Sequence, residues 1–170
     1  MIPGHLLLAQ RIRDEVVELE HGVNRAQRAW AAARRAQTDQ DMFIDSAALN
    51  MHSFYSGLER LLEFIAYQLE NGPPKGPAWH KELLRQMSTN LPGIRPLVIS
   101  PAMVSDLDEF RRFRHVVRNV YAEYLEPERV GELADKLALV WGQLQEELEA
   151  FASFLEGVSQ TDDVMKGDHL

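Results

Sequence analysis

The sequence predicts an all-α fold, an antiparallel bundle of four to five helices. Apolar residues recur at steps of three and four through most of the chain, which is the period of one helix face. The breaks between these periodic segments are short and rich in proline, glycine or N-cap residues. No stretch pairs a strand pattern with a partner strand, and long helices joined by short turns pack as a bundle.

The first helix is expected over residues 5–35, with the apolar stripe Ile12, Val16, Leu19, Val23, Ala26 and Trp30. Arg11, Arg13, Arg25, Arg28, Arg34 and Arg35 are assigned to its solvated side. The polar break at 37–41 supplies N-cap residues for a second helix that runs to about Glu70. Its stripe is Met51, Phe54, Leu58, Leu61, Ile65 and Leu69. His52, Tyr55 and Glu59 share a neighbouring face, either as a satisfied polar contact or as support for a site. Gly72, Pro73, Pro74 and Pro77 stop that helix. A short helix with Trp79, Leu83, Leu84 and Met87 follows, with His80 in its first turn in a structural role. Residues 88–100 read as a loop whose Leu97, Val98 and Ile99 tuck into the core.

Ser100 and Pro101 are an N-cap serine and an N1 proline, so a fourth helix starts there. It carries Met103, Leu107, Phe110, Val117, Val120 and Tyr124 inward and ends near Leu125, ahead of Pro127. The last helix runs from Pro127 to a cap at Gly157 on the stripe Val130, Leu133, Leu137, Val140, Leu144, Leu148, Phe151 and Leu155. Residues 1–160 are expected to form a single domain, and 161–170 a frayed, flexible tail.

The 170 residues carry 26 acids against 18 bases, a formal net charge of −8, and no cysteine. That balance argues against broad, non-specific nucleic-acid binding but leaves room for a local site. Without cysteine there are no disulfides, thiolate metal sites or cysteine nucleophiles, which suits a reducing compartment. No apolar run approaches a membrane span, and Leu6, Leu7, Leu8 and Ala9 are too few for a signal segment. The expectation is an untargeted, soluble, cytoplasmic protein. Gly-rich phosphate loops and metalloprotease motifs are absent from the sequence. Only Glu18 and His21 have the spacing of a di-metal bundle ligand pair, so neither a metal site nor a cofactor is expected.

Residues 110–121 stand out against the acidic background. They hold Arg111, Arg112, Arg114, Arg118 and His115 and no acid. Like charges at i,i+4 repel. Either carboxylates on neighbouring helices neutralise these arginines, or they grip phosphate through guanidinium forks. On a helical wheel Arg114, Arg118 and Tyr121 share one face, and Arg111, His115 and Asn119 an adjacent one. RNA cleavage without metal needs such groups. A base takes the ribose 2′-OH proton, an acid protonates the leaving oxygen, and a cation offsets the phosphorane charge.

The stretch Arg114, His115, Val116, Val117, Arg118, Asn119, Val120, Tyr121 resembles the signature of the HEPN superfamily in its HepT-like branch. That signature is an arginine, a polar residue, three further residues, a histidine, any residue and a tyrosine. Arg114, His115 and Tyr121 match it, and Asn119 stands at the histidine position. Residues 55–63, 76–84 and 113–117 are also similar to HepT-like proteins, and the resemblance spans most of 40–150. It implies a bundle that forms a homodimer with the two motifs facing across a cleft. It also implies a toxin ribonuclease acting on tRNA or mRNA, partnered by a minimal nucleotidyltransferase antitoxin that transfers AMP to the motif tyrosine. Carried over, Arg114 binds phosphate, Arg111 and Arg118 extend the RNA-binding surface, and Tyr121 is the AMPylated residue.

An amide does not titrate near neutrality, so Asn119 cannot act as a general acid or base. Two expectations follow. Either His115, one turn earlier, supplies the imidazole of a working toxin, or the chain is a catalytically silent module that still binds a nucleotidyltransferase or a nucleotide.

Overall fold

The computed structural model describes residues 4–119 and 125–167. Five helices follow one another: α1 (Gly4–Arg35), α2 (Gln40–Leu69), α3 (Trp79–Met87), α4 (Pro101–Asn119) and α5 (Pro127–Gly167). Among the described residues the only β feature is an isolated bridge between Leu91 and Arg95. The architecture is an all-α bundle, as the periodicity predicts.

Among the described residues each long helix buries most of its expected stripe, with Trp30, Leu69 and Val117 partly buried. In α1 Ile12, Val16, Leu19, Val23 and Ala26 are buried, and Trp30 packs partly buried against the same core. In α5 all eight residues from Val130 to Leu155 of the predicted seam are buried. Phe54 of α2 sits where these faces converge. Its ring meets Phe110 of α4 edge-on at 6.2 Å and Trp141 of α5 at 5.9 Å between centroids.

Polar contacts set the directions of the helices. Arg13 near the start of α1 pairs with Glu149 and Glu156 late in α5, while Gln27 donates to the Ala134 carbonyl early in α5 at 2.6 Å. α1 and α5 are therefore antiparallel. Lys136 of α5 holds Asp106 at 3.0 Å and Glu109 at 2.8 Å, and Glu147 accepts from the Ser100 amide at 2.8 Å, so α4 and α5 are antiparallel too. Of the arginines assigned to the solvated side of α1, Arg11, Arg25, Arg28, Arg34 and Arg35 are exposed. Arg13 instead ties α1 to α5.

The helix ends follow the sequence in most places. Asp39 caps α2 with left-handed φ of 58° and its carbonyl, not its side chain. Gly72 has φ of 96° and returns its amide to the Ala66 carbonyl at 3.2 Å. Ser100 caps α4 as expected, its Oγ accepting from the Met103 amide at 3.3 Å. In the 88–100 loop Val98 and Ile99 are buried as expected while Leu97 is exposed, and the amides of Val98 and Ile99 donate to the Met87 carbonyl at 2.8 and 3.2 Å. Buried Arg95 pins that loop to α2, with Nη2 2.5 Å from Glu70 Oε1. The expected continuation of α4 toward Leu125 falls on 120–124, outside the described residues.

One boundary differs. The last helix does not stop at Gly157 but continues to Gly167. Ser159 beyond that glycine is buried, and Thr161 Oγ1 donates to the Gly157 carbonyl at 3.0 Å, so packing and local hydrogen bonding carry the helix on.

Gly131 marks a close approach of α5 to α1. A Cβ there would lie 2.3 Å from Trp30 Cζ2 and 2.5 Å from Cη2, whereas one at Gly142 would meet nothing within 4 Å. Gly131→Ala should therefore cost about 1–3 kcal/mol through overpacking. Each kcal/mol should lower Tm by roughly 2–4 °C in thermal melting. Gly142→Ala should hold or raise Tm, because a helix-interior glycine loses about 0.5–1 kcal/mol against alanine. Equal Tm values for the two variants would contradict this packing.

Candidate functional site around Glu59

α2 turns one polar edge toward α3 and α4. Tyr55 and Glu59 lie one helical turn apart on it and are 1% and 4% exposed. A carboxylate buried this deeply needs partners, because an unpaired buried charge is costly. Glu59 has one on each oxygen. Oε1 accepts from Nη1 of Arg114 at 2.5 Å, and Oε2 lies 2.7 Å from Nδ1 of His80. One carboxylate thus joins α2, α3 and α4.

The partners differ in access. The Glu59 side chain is 5% exposed, Arg114 19% and His80 25%. A ligand reaching this edge meets guanidinium and imidazole first and the carboxylate last. The His80 ring stacks on Trp79, with centroids 3.7 Å apart and planes at 30°. The indole and the Glu59 contact together define the orientation of the imidazole.

Arg111 and Arg112 find their carboxylate within their own helix. Asp108 lies 2.7 Å from Arg111 Nε and 3.3 Å from Arg112 Nε. Pairing with a neighbouring helix, one of the two sequence expectations, describes Arg114 but not Arg111 or Arg112. Each contact is charge-assisted and offsets the repulsion among the arginines.

Electrostatics around Glu59 are uneven. Burial pushes the Tyr55 phenol well above its ordinary range, and the Glu59 charge adds to this, so Tyr55 stays neutral. Burial also raises the Glu63 carboxyl, with the nearby Glu59 charge as the next cause. Glu59 and Glu63 thus form the acidic side of a mixed-charge edge, and the deeper of the two is engaged on both oxygens by Arg114 and His80.

The structure brings Arg114 and Arg111 to this edge, both among the charges that act on Tyr55. The backbone of His115, Arg118 and Asn119 lies on α4, but their side chains are outside the described residues, as is Tyr121 altogether. Two members come from elsewhere in the sequence. Glu59 stood open between two roles, and His80 was read as a lone structural histidine. The available signal was an acid set between apolar Leu58 and Leu61. Nothing in the spacing shows that α3 folds its first turn back over α2.

Among the described residues no group of three or more His, Asp or Glu side chains could hold a metal ion. An open cleft of about 690 Å³ between α1 and α2 is lined by Arg25, Arg28, Arg35, Phe43, Ser46 and Asn50. Asn50 and Glu59 are nine residues apart on α2, half a turn round the helix, so this cleft is not part of the Glu59 site.

The raised Glu63 carboxyl predicts a pH effect. The folded state holds that proton more tightly than the unfolded chain, so stability is lost as pH rises from the ordinary glutamate value through the raised one. Glu63→Gln should be more stable than the parent in urea titrations at about pH 7, with no advantage below the ordinary glutamate value of about 4.3. A gain of equal size at both pH values would contradict the assignment.

No helix among the described residues is long and apolar enough to cross a membrane. No curated protein and no solved structure matches the chain. A family model described as "HepT-like protein" matches residues 46–155, a span that takes in Glu59, His80 and Arg114. With more than half of its length matched by that model, the chain belongs to the HepT-like proteins of the HEPN superfamily.

Proposed function

We propose that this chain is the toxin of a toxin–antitoxin pair, an endoribonuclease that cuts tRNA or mRNA without a metal ion. Its site forms at a homodimer interface, and a minimal nucleotidyltransferase neutralises it by transferring AMP to Tyr121. The observation that carries this reading is the placement of Arg114. Its guanidinium occupies the motif arginine position, is fixed by a buried carboxylate at 2.5 Å, and still reaches the surface. One of its five N–H groups is committed to Glu59, and the others suit a phosphate.

In this reading Arg114 binds the scissile phosphate and offsets charge on the phosphorane. Arg111 and Arg118 hold flanking phosphates. Asn119 acts as a hydrogen-bonding amide at the ribose or leaving group, beside His115. The chemistry needs no cofactor.

Asn119 favours a second reading, a silent module that keeps the fold and its nucleotidyltransferase partner but has lost proton transfer. The two differ in a cleavage assay on bulk tRNA in the presence of a chelator. The toxin reading expects cleavage by the parent and a loss of about 100-fold or more in Arg114→Ala, the scale of removing one transition-state donor. Absence of cleavage by the parent, with cleavage by Asn119→His, supports the silent module. Parent-level cleavage by Arg114→Ala contradicts the role given to that arginine.

A further inference from the structure

We propose that the cleft between α1 and α2 is a docking site for single-stranded RNA. It is a second contact, remote from the Glu59 edge, that holds RNA without taking part in the cut. The choice of RNA as the occupant rests on the ribonuclease reading above, and the site itself lies outside that reading.

Residues 21–38 hold Arg25, Arg28, Arg34 and Arg35 and no acid, in a chain where acids outnumber bases 26 to 18. All four arginines are exposed, and among the described residues none has a hydrogen bond or an ion pair. Earlier in the same helix Arg11 pairs with Glu15, and Arg13 with Glu149 and Glu156. Arg34 and Arg35 have a local reason to be where they are. They lie in the last turn of α1, where cations meet the negative end of the helix dipole. Arg25 and Arg28 lie further back, beyond the reach of that effect, and as like charges at i,i+3 they repel. The helix gains nothing from them.

Arg25, Arg28 and Arg35 line one open cleft of about 690 Å³. From Arg25 to Arg35 is about 15 Å along the helix axis, enough for several phosphates of one strand. Three alanines also line the cleft, and their short side chains leave the space between the guanidinium groups open. α2 contributes Phe43, Ser46 and Asn50. The Phe43 ring is 38% exposed. Asn50 Nδ2 donates to the Ser46 carbonyl at 2.8 Å, which leaves its Oδ1 without a partner among the described residues. The cleft thus joins cations for phosphates, an aromatic face for a base, and an amide acceptor for a base N–H or a ribose hydroxyl. Single-stranded RNA presents all of these groups, whereas a duplex hides its base faces. An acidic protein segment would answer the arginines but not the exposed ring. Asn50 stands half a turn round α2 from Glu59, so docking here acts on affinity and not on the reaction.

The test measures binding of a labelled 2′-O-methyl oligouridylate, which has no 2′-OH to attack, to the full chain across a range of salt. Cleavage of tRNA is followed beside it. The double variant Arg25→Gln, Arg28→Gln keeps good helix formers on an exposed face and should melt like the parent. Its plot of log affinity against log salt should be shallower by about 1.4, or about 0.7 for each lost phosphate contact on a single strand. The charge-matched double Arg11→Gln, Arg129→Gln should keep the parent's slope. Phe43→Leu, which keeps apolar bulk, should weaken binding about tenfold at an unchanged slope, the scale of one lost stacked base. In tRNA cleavage Arg25→Gln, Arg28→Gln should raise KM and leave kcat unchanged.

No binding by the parent, or equal slopes for the two double variants, overturns the docking site. If the parent still cleaves tRNA in that case, the ribonuclease reading stands without it. Competition by polyglutamate as strong as by unlabelled oligouridylate, with Phe43→Leu binding like the parent, makes the cleft an acidic-protein surface and also overturns the proposal. So does a fall in kcat at unchanged KM, which would put the cleft in the reaction. No cleavage by the parent, with the difference in slope intact, removes the ribonuclease reading and supports RNA docking by itself.

Discussion

Glu59 places a negative charge inside a helix face otherwise made of Leu58, Leu61, Leu62 and Ile65, all buried. Desolvating such a carboxylate costs several kcal/mol unless partners replace its water. Here the replacement comes from two other helices. The guanidinium of α4 takes one oxygen and the imidazole of α3 the other. Hydrophobic contact alone would let α3 and α4 slide along α2 with little penalty. A buried charge with two directional partners allows far fewer arrangements. It sets which residue of α4 faces α2, and it seats the first turn of the nine-residue α3.

The same constraint produces the chemistry. Phe54, five residues before Glu59, anchors α4 and α5 through Phe110 and Trp141. α4 is thereby held to α2 at two points, one apolar and one ionic. Arg114 gains a fixed position at the edge of the core instead of a solvated, mobile one. Asp108 pairs with both Arg111 and Arg112, so the positive charge of those two arginines is partly offset within α4. Tyr55, held neutral by burial, lines the inner side without competing for the guanidinium. An acidic protein can thus present a local anion site without a broad cationic surface.

The helical layout was legible because long stripes such as Val130 to Leu155 repeat over many turns, and only one period fits them. Caps that act through identifiable groups, such as Ser100, were legible too. Gly157 was not, because glycine permits a helix end without requiring one, and the burial of Ser159 depends on packing that lies outside the local sequence. Arg114 was visible from the motif spacing. Its partner was less so: Glu59 and Arg114 are 55 residues apart, and only the fold brings them together. His80 was hidden in the same way. A histidine after a proline-rich break looks like many structural histidines until Glu59 is found beneath it.

Glu59 and Arg114 should be energetically coupled in the folded protein. A double-mutant cycle measured by urea unfolding tests this most directly, with Glu59→Ala, Arg114→Ala and the double variant. Removing either partner alone leaves the other underpaired, so each single change should cost more than its share, and the double variant should fall short of their sum by about 1–3 kcal/mol. Additivity within about 0.5 kcal/mol would show that the two groups act independently and would contradict the account.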